Sequence, residues 1–167
     1  RVFQRGSMKE DGQKVPKLGV QAATKVYHTA SGDLLALDRC SFDVGANEIV
    51  SIVGPSGCGK TTLLWCMSGL HGLSGGQVTL DGKPITGPHP DIGIVFQEAN
   101  LLPWRNLDAN INFPFEIKGT RPDRSWIEHL LRRVGLSGFG GKFPRELSGG
   151  MQQRAAIVRA LALKPSV

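Results

Sequence analysis

Apolar positions along the chain fall into short β-type runs in its first hundred residues and into helical spacing after that. Leu18 to Tyr27 suits a strand, Ser31-Gly32-Asp33 a turn, and Cys40 to Val44 a short strand of the same sheet. Glu48-Ile49-Val50-Ser51-Ile52-Val53 is a mostly apolar, β-branched run of the kind buried on both faces of a parallel sheet. Val78 to Ile85 carries Asp81-Gly82 between apolar residues, which predicts a hairpin, and Asp91 to Phe96 is a further β-type run ending at Gln97. Leu63 to Leu70 predicts an apolar helix closed by glycine. Between Asn100 and Glu146 helical segments are expected, broken by Pro103, Pro114, Pro122 and Pro144. Within them Ser125 is the expected cap of a helix through Arg133, with Gly135 as its stop. Ser148 to Leu163 predicts another helix, small and apolar on one side.

These elements define an α/β chain in four parts. Residues 1–16 read as a polar, disordered tail, 17–98 as an α/β core, 99–146 as a helical subdomain, and 147–167 as a last motif and its helix. Composition adds little: 40% hydrophobic and 20% charged residues are ordinary for a globular domain. A net charge of +6 leaves nucleic acid, anionic membrane and phosphate ligands open, but without a Lys/Arg run most of it reads as solvated surface. Cys40, Cys58 and Cys66 cannot all pair, which suits free thiols in a reducing compartment. No apolar stretch approaches the roughly 18 residues of a spanning helix, so a soluble protein is expected, any membrane attachment coming through a partner. Glycine is the exception. Twenty-two glycines are roughly twice the usual share of about 7%, and they cluster.

The first cluster, Gly54-Pro55-Ser56-Gly57-Cys58-Gly59-Lys60-Thr61-Thr62, fits G-x-x-x-x-G-K-[ST] at every fixed position, between an expected strand and an expected helix. Its glycines let backbone N–H groups turn inward toward phosphate oxygens, and the following helix offers its positive end to the same anion. Lys60 adds a point charge for the β- and γ-phosphates, and Thr61 a hydroxyl for Mg²⁺. The second cluster, Leu147-Ser148-Gly149-Gly150-Met151-Gln152-Gln153-Arg154, opens a helix in a similar way. Ser148 there either caps the helix or hydrogen-bonds a phosphate.

Together the two clusters resemble the phosphate loop and signature motif of ATP-binding cassette (ABC) ATPases, a resemblance that covers about Leu18 to Val167. It implies a P-loop NTPase (RecA-like) core with an antiparallel β subdomain and an inserted helical subdomain. It identifies Gln97 as the Q-loop glutamine, a contact of Mg²⁺ or the attacking water, so that Lys60 and Gln97 form the catalytic set and Thr61 and Gln97 the metal ligands. Tyr27 stands where the family places an aromatic that stacks on adenine; an edge-strand tyrosine is the alternative. ATP and Mg²⁺ are the implied cofactors, with Ser148, Gly149 and Gly150 reaching the γ-phosphate across a head-to-tail homodimer. Cys58, inside the loop, is either a reactive thiol or a small residue at a variable position.

Val95-Phe96-Gln97-Glu98-Ala99-Asn100-Leu101-Leu102-Pro103-Trp104-Arg105, with Asn110 and Phe113 to Gly119, is similar to the nitrate/sulfonate/taurine group of bacterial importers. Trp104 is then an anchor for a permease or a core aromatic. The implied partners are a second nucleotide-binding subunit, a transmembrane permease and, indirectly, a periplasmic or lipid-anchored solute-binding protein, with no nucleic acid. The implied location is the inner face of the cell membrane. In the family an apolar strand ending in Asp-Glu and a later histidine follow the signature helix. Residues 1–167 contain neither, and His28, His71, His89 and His129 all precede the signature. The chain therefore reads as a cassette cut off before its catalytic strand, expected to hydrolyse ATP poorly as it stands. The competing readings are a non-catalytic nucleotide-binding or regulatory module and a soluble member of the family acting on nucleic acid.

Overall fold

The computed structural model describes residues 15–167, and the polar tail expected at 1–16 lies almost wholly outside them. The chain forms two compact units, Arg1–His89 and Pro90–Val167.

In the first unit, strands β1 (Leu18–Thr29), β2 (Gly32–Val44), β3 (Gly75–Leu80) and β4 (Lys83–Pro84) form an antiparallel sheet in the order β2-β1-β3-β4. The β3–β4 hairpin turns at Asp81 (φ 49°) and Gly82 (φ 77°). Two successive positive φ values are what the Asp-Gly signal predicts, because such a turn matches the twist of the strands it joins. β2 begins well before the expected Cys40. Register shifts between Val20 and Val26, with Ala22 and Arg39 at positive φ, break the alternation by which its first half would have been read. Leu18, Val20, Ala23, Leu37, Val78 and Leu80 fill the sheet's buried side. Helix α1 (Lys60–Met67) buries Leu63 and Cys66.

Two expected strands do not form ladders. Ile49 is 95% exposed and Val53 77%, so the run from Glu48 to Val53 is not buried here. A parallel strand needs neighbours to pair with, and none lies beside this run among the described residues. Asp91 to Phe96 is likewise outside any ladder. Its first residues are tied instead to Ser166 and Val167, whose N–H groups donate to the Asp91 carbonyl, while Gly93 N–H donates to the Val167 carbonyl.

The second unit is helical: α2 (Leu107–Lys118), α3 (Arg124–Arg133), a short 3₁₀ turn (Pro144–Glu146) and α4 (Gly149–Ala162). Leu107, Ile111 and Phe115 of α2, Ile127, Leu130 and Leu131 of α3, and Ala155, Val158 and Ala162 of α4 make one core around Leu136. Pro114 does not break α2, contrary to expectation. Asn106 caps the helix through Ala109 N–H, Gly119 at φ 64° stops it, and burial of its apolar stripe outweighs the roughly 3 kcal/mol that an interior proline costs. The cap of α3 is Asp123, not Ser125. Asp123 accepts from Trp126 N–H at 3.1 Å, and Ser125 Oγ donates to the same carboxylate at 2.7 Å.

Candidate nucleotide site

In the first unit the segment 54–62 is a tight turn entering α1. Gly57 (φ 80°) and Gly59 (φ 93°) hold left-handed backbone, and a side chain at Gly59 would collide with the Ala36 carbonyl of β2. Glycine is therefore required at Gly59 on two grounds, and the β1–β2 hairpin fixes where the loop ends. Gly59 gives α1 no side-chain cap, whereas Asn106, Asp123 and Ser148 cap α2, α3 and α4 through their side chains. The first N–H groups of α1 are thus left for an anion, which the helix dipole also favours. Lys60 Nζ donates to the carbonyls of Gly54 (2.9 Å) and Pro55 (2.7 Å) and stands 3.6 Å from Cys58 Sγ. Its ammonium is held over the loop whose phosphate-binding role its sequence position implies. Thr61 and Cys58 are exposed.

Tyr27 lies on β1 opposite Leu34 of β2, beyond the stretch Leu18 to Thr24 over which β1 pairs with β3. Its hydroxyl is 2.8 Å from His71 Nδ1, and Lys25 Nζ lies 5.1 Å over its ring.

In the second unit Gln97 is exposed, and the backbone around it is fastened to α4. Gln153 Nε2 donates to the Phe96 carbonyl (3.0 Å), and the Arg159 guanidinium to those of Asn100 (2.8 Å) and Ala99 (2.9 Å). Burial of Arg159 pulls its pKa below the usual arginine value. Ser148 Oγ accepts from Met151 N–H at 3.3 Å, which makes it a helix cap; its own O–H stays available to donate. A Cβ at Gly149 or Gly150 would meet nothing, so both glycines open on free space. Gln152 Nε2 donates to the carbonyls of Pro144 and Leu147 and braces the turn before Ser148.

Trp104 is 72% exposed, which removes the core alternative for it. Its loop is held by Asn110, whose side chain is fully buried. Asn110 Oδ1 accepts from Leu102 N–H (2.7 Å), and Nδ2 donates to the carbonyls of Leu102 (3.1 Å), Arg105 (2.9 Å) and Asn106 (3.0 Å). Asn110, Gln153 and Arg159 as fasteners were missed by sequence reasoning. Each acts on backbone carbonyls, which carry no side-chain signature.

A glycine-led phosphate loop on an uncapped helix, beside an antiparallel sheet, defines the class as a P-loop nucleotide-binding cassette. The family model described as "ABC transporter" matches residues 37–167, and the chain belongs to that family. An uncharacterized ABC transporter ATP-binding protein of Methanocaldococcus jannaschii is 45% identical over 162 residues, 95% of this chain and 60% of that protein. The taurine import ATP-binding protein TauB of Burkholderia thailandensis is 43% identical over 152 residues, 90% of this chain and 58% of its own length. Further relatives are named for nitrate transport (Klebsiella oxytoca, 42% identical over 159 residues, 91% of this chain and 60% of that protein) and for aliphatic sulfonate import (Burkholderia cenocepacia, 45% over 152 residues, 91% and 54%). A solved dimer of the cassette MJ0796, in a post-hydrolysis state bound to ADP and Pi, superposes with a TM-score of 0.78. It is 32% identical, over 89% of this chain and 70% of that one. The chain thus spans about 53–60% of the length of the curated relatives it matches first. The expected fold class and the likeness to the taurine, nitrate and sulfonate group hold. Among the described residues no helix is long and apolar enough to cross a membrane.

Proposed function

We propose that this chain is the ATP-binding part of an importer for a small anion of the taurine, sulfonate or nitrate kind. The observation that carries the reading is the loop at 54–62: left-handed Gly57 and Gly59, an uncapped α1 and Lys60 at its first turn. Backbone N–H groups of Gly54, Ser56, Gly57, Cys58, Gly59, Thr61 and Thr62 would surround the phosphates, Pro55 shaping the loop without an N–H of its own, and Lys60 would leave its loop carbonyls for phosphate oxygens. Charge-assisted bonds of that kind are roughly twice as strong as neutral ones. Tyr27 would stack on the base.

Thr61 and Gln97 offer hard, neutral oxygen donors. That suits Mg²⁺, which takes a few protein oxygens and the rest from phosphate and water. Bound there, Mg²⁺ would neutralise phosphate charge. Ser148, with a free O–H, and the unobstructed Gly149 and Gly150 would receive the γ-phosphate of a second copy, so that ATP closes a homodimer. In the full-length form, hydrolysis reopens it. The arms of Gln153 and Arg159 give α4 a mechanical hold on the Gln97 segment, so that movement of the signature helix and of the glutamine are one event. Trp104 and its Asn110-braced loop would meet the permease at the cytoplasmic face of the membrane, a solute-binding protein acting from the other side.

Co-expression with the membrane subunit of a taurine, sulfonate or nitrate importer is the test. Recovery of the pair from detergent extracts, weakened by Trp104→Ala, is expected. Recovery with nucleic acid instead would overturn the transport reading.

A further inference from the structure

The loop after α1 carries a side chain that the proposed chemistry does not use. His71 is half-buried, with Nδ1 2.8 Å from Tyr27 Oη, and the two rings meet edge to face at 6.0 Å and 77°. The same imidazole packs on Trp65 with centroids 4.8 Å apart, and its backbone N–H donates to the Trp65 carbonyl at 3.1 Å. Trp65 belongs to α1, the helix that starts at Lys60. Lys25 completes the group: Nζ donates to the Gly72 carbonyl at 2.6 Å while lying 5.1 Å over the Tyr27 ring. An ammonium lies over one face of the phenol and an imidazole engages its hydroxyl, so a base would stack on the other face.

We propose that His71 is a positioning residue for the nucleobase: it holds the Tyr27 ring in the orientation on which adenine stacks, and through Trp65 ties that ring to the phosphate-binding helix. The inference rests on the reading of Tyr27 as the base platform. A free tyrosine loses side-chain freedom when a base stacks on it, and a ring already fixed at its hydroxyl and edge avoids that loss. With the imidazole proton on Nε2, the phenol donates to Nδ1; if the imidazole is protonated, the phenol oxygen accepts instead. The contact survives either way.

Calorimetry with ATP and with inorganic tripolyphosphate, which has no base, tests this on the whole chain and on four variants. His71→Phe keeps a ring but no acceptor. His71→Asn keeps an oxygen near the Nδ1 position. Tyr27→Phe removes only the hydroxyl, and Tyr27→Ala removes the platform. His71→Phe and Tyr27→Phe are expected to weaken ATP about 2- to 12-fold, the worth of one net hydrogen bond, while tripolyphosphate affinity stays as in wild type and His71→Asn recovers most of the loss. If Tyr27→Ala weakens ATP but Tyr27→Phe and His71→Phe do not, the role of His71 is overturned and the platform stands. If Tyr27→Ala leaves ATP unchanged, the platform reading itself fails, and this inference with it. Equal weakening of ATP and tripolyphosphate by His71→Phe would make His71 structural, against the proposal. Should His71→Phe not fold, Tyr27→Phe alone decides, since it breaks the same bond from the other side.

Discussion

Asn110→Ala is the substitution whose cost can be worked out most fully. The wild-type side chain makes four hydrogen bonds, but they are not equally irreplaceable. The Asn106 carbonyl also accepts Asn110 N–H, and the Leu102 carbonyl also accepts Arg105 N–H, so both keep a partner after truncation. Leu102 N–H and the Arg105 carbonyl lose theirs. A buried polar group left unpaired costs about 1–3 kcal/mol, so two predict a loss of about 2–4 kcal/mol if the loop relaxes partly toward water. The loss should be local, in residues 101–105. Amide exchange followed by NMR reads this directly. Leu102 N–H should exchange at least about tenfold faster in the variant, since each 1.4 kcal/mol is a factor of about ten. Leu136 N–H, bonded to the Leu131 carbonyl at 2.8 Å in the core, serves as the internal reference. Unchanged Leu102 exchange together with a stability change below about 0.5 kcal/mol would refute the bracing role. Because the braced loop carries Trp104, the same variant should also weaken recovery of the permease.

Other expectations follow from the same contacts. Alkylation of Cys58, exposed beside the Lys60 ammonium, should block ATP binding, and ATP should protect the thiol. Burial pushes the Cys40 and Cys66 thiols up, so they should react later, and mass spectrometry gives the order. Full modification of Cys58 with unaltered ATP affinity would sink the idea. Stability should fall in acid through Asp123 and Glu146. The Lys164 ammonium, then Ser125 Oγ and Trp126 N–H, hold Asp123 below the usual carboxylate range; Phe143 N–H and Lys142 do the same for Glu146. Groups depressed in the folded state contribute stability above their unfolded pKa of about 4 and lose it as pH falls below that. Melting temperature measured from pH 7 to 2 should therefore drop below about pH 4, and less steeply in Lys164→Ala; an identical slope in that variant would contradict the assignment.

The pattern of the sequence was most readable where a local rule sets the conformation. Asp81-Gly82 determined its hairpin, and the spacing of Gly57, Gly59 and Lys60 matched a loop whose backbone angles only glycine adopts easily. Pattern failed where a distant partner decides. Glu48 to Val53 has the residues of a buried strand, yet a ladder needs a neighbour and none lies beside it among the described residues. Pro114 looked like a break because the gain from burying Leu107, Ile111 and Phe115 belongs to tertiary packing. The hold of Gln153 and Arg159 on the Gln97 segment spans more than fifty residues, and no periodicity encodes a side chain reaching a carbonyl that far along the chain.

The central claim is that the loop at 54–62 binds the phosphates of ATP with the help of the Lys60 ammonium. Isothermal titration of ATP into the wild-type chain and into Lys60→Ala tests it most directly, with the melting temperature of each recorded alongside. The account predicts saturable binding by the wild type and a loss of about tenfold or more in the variant, the worth of one charge-assisted hydrogen bond, at a similar melting temperature. Equal affinity in the two proteins would contradict it.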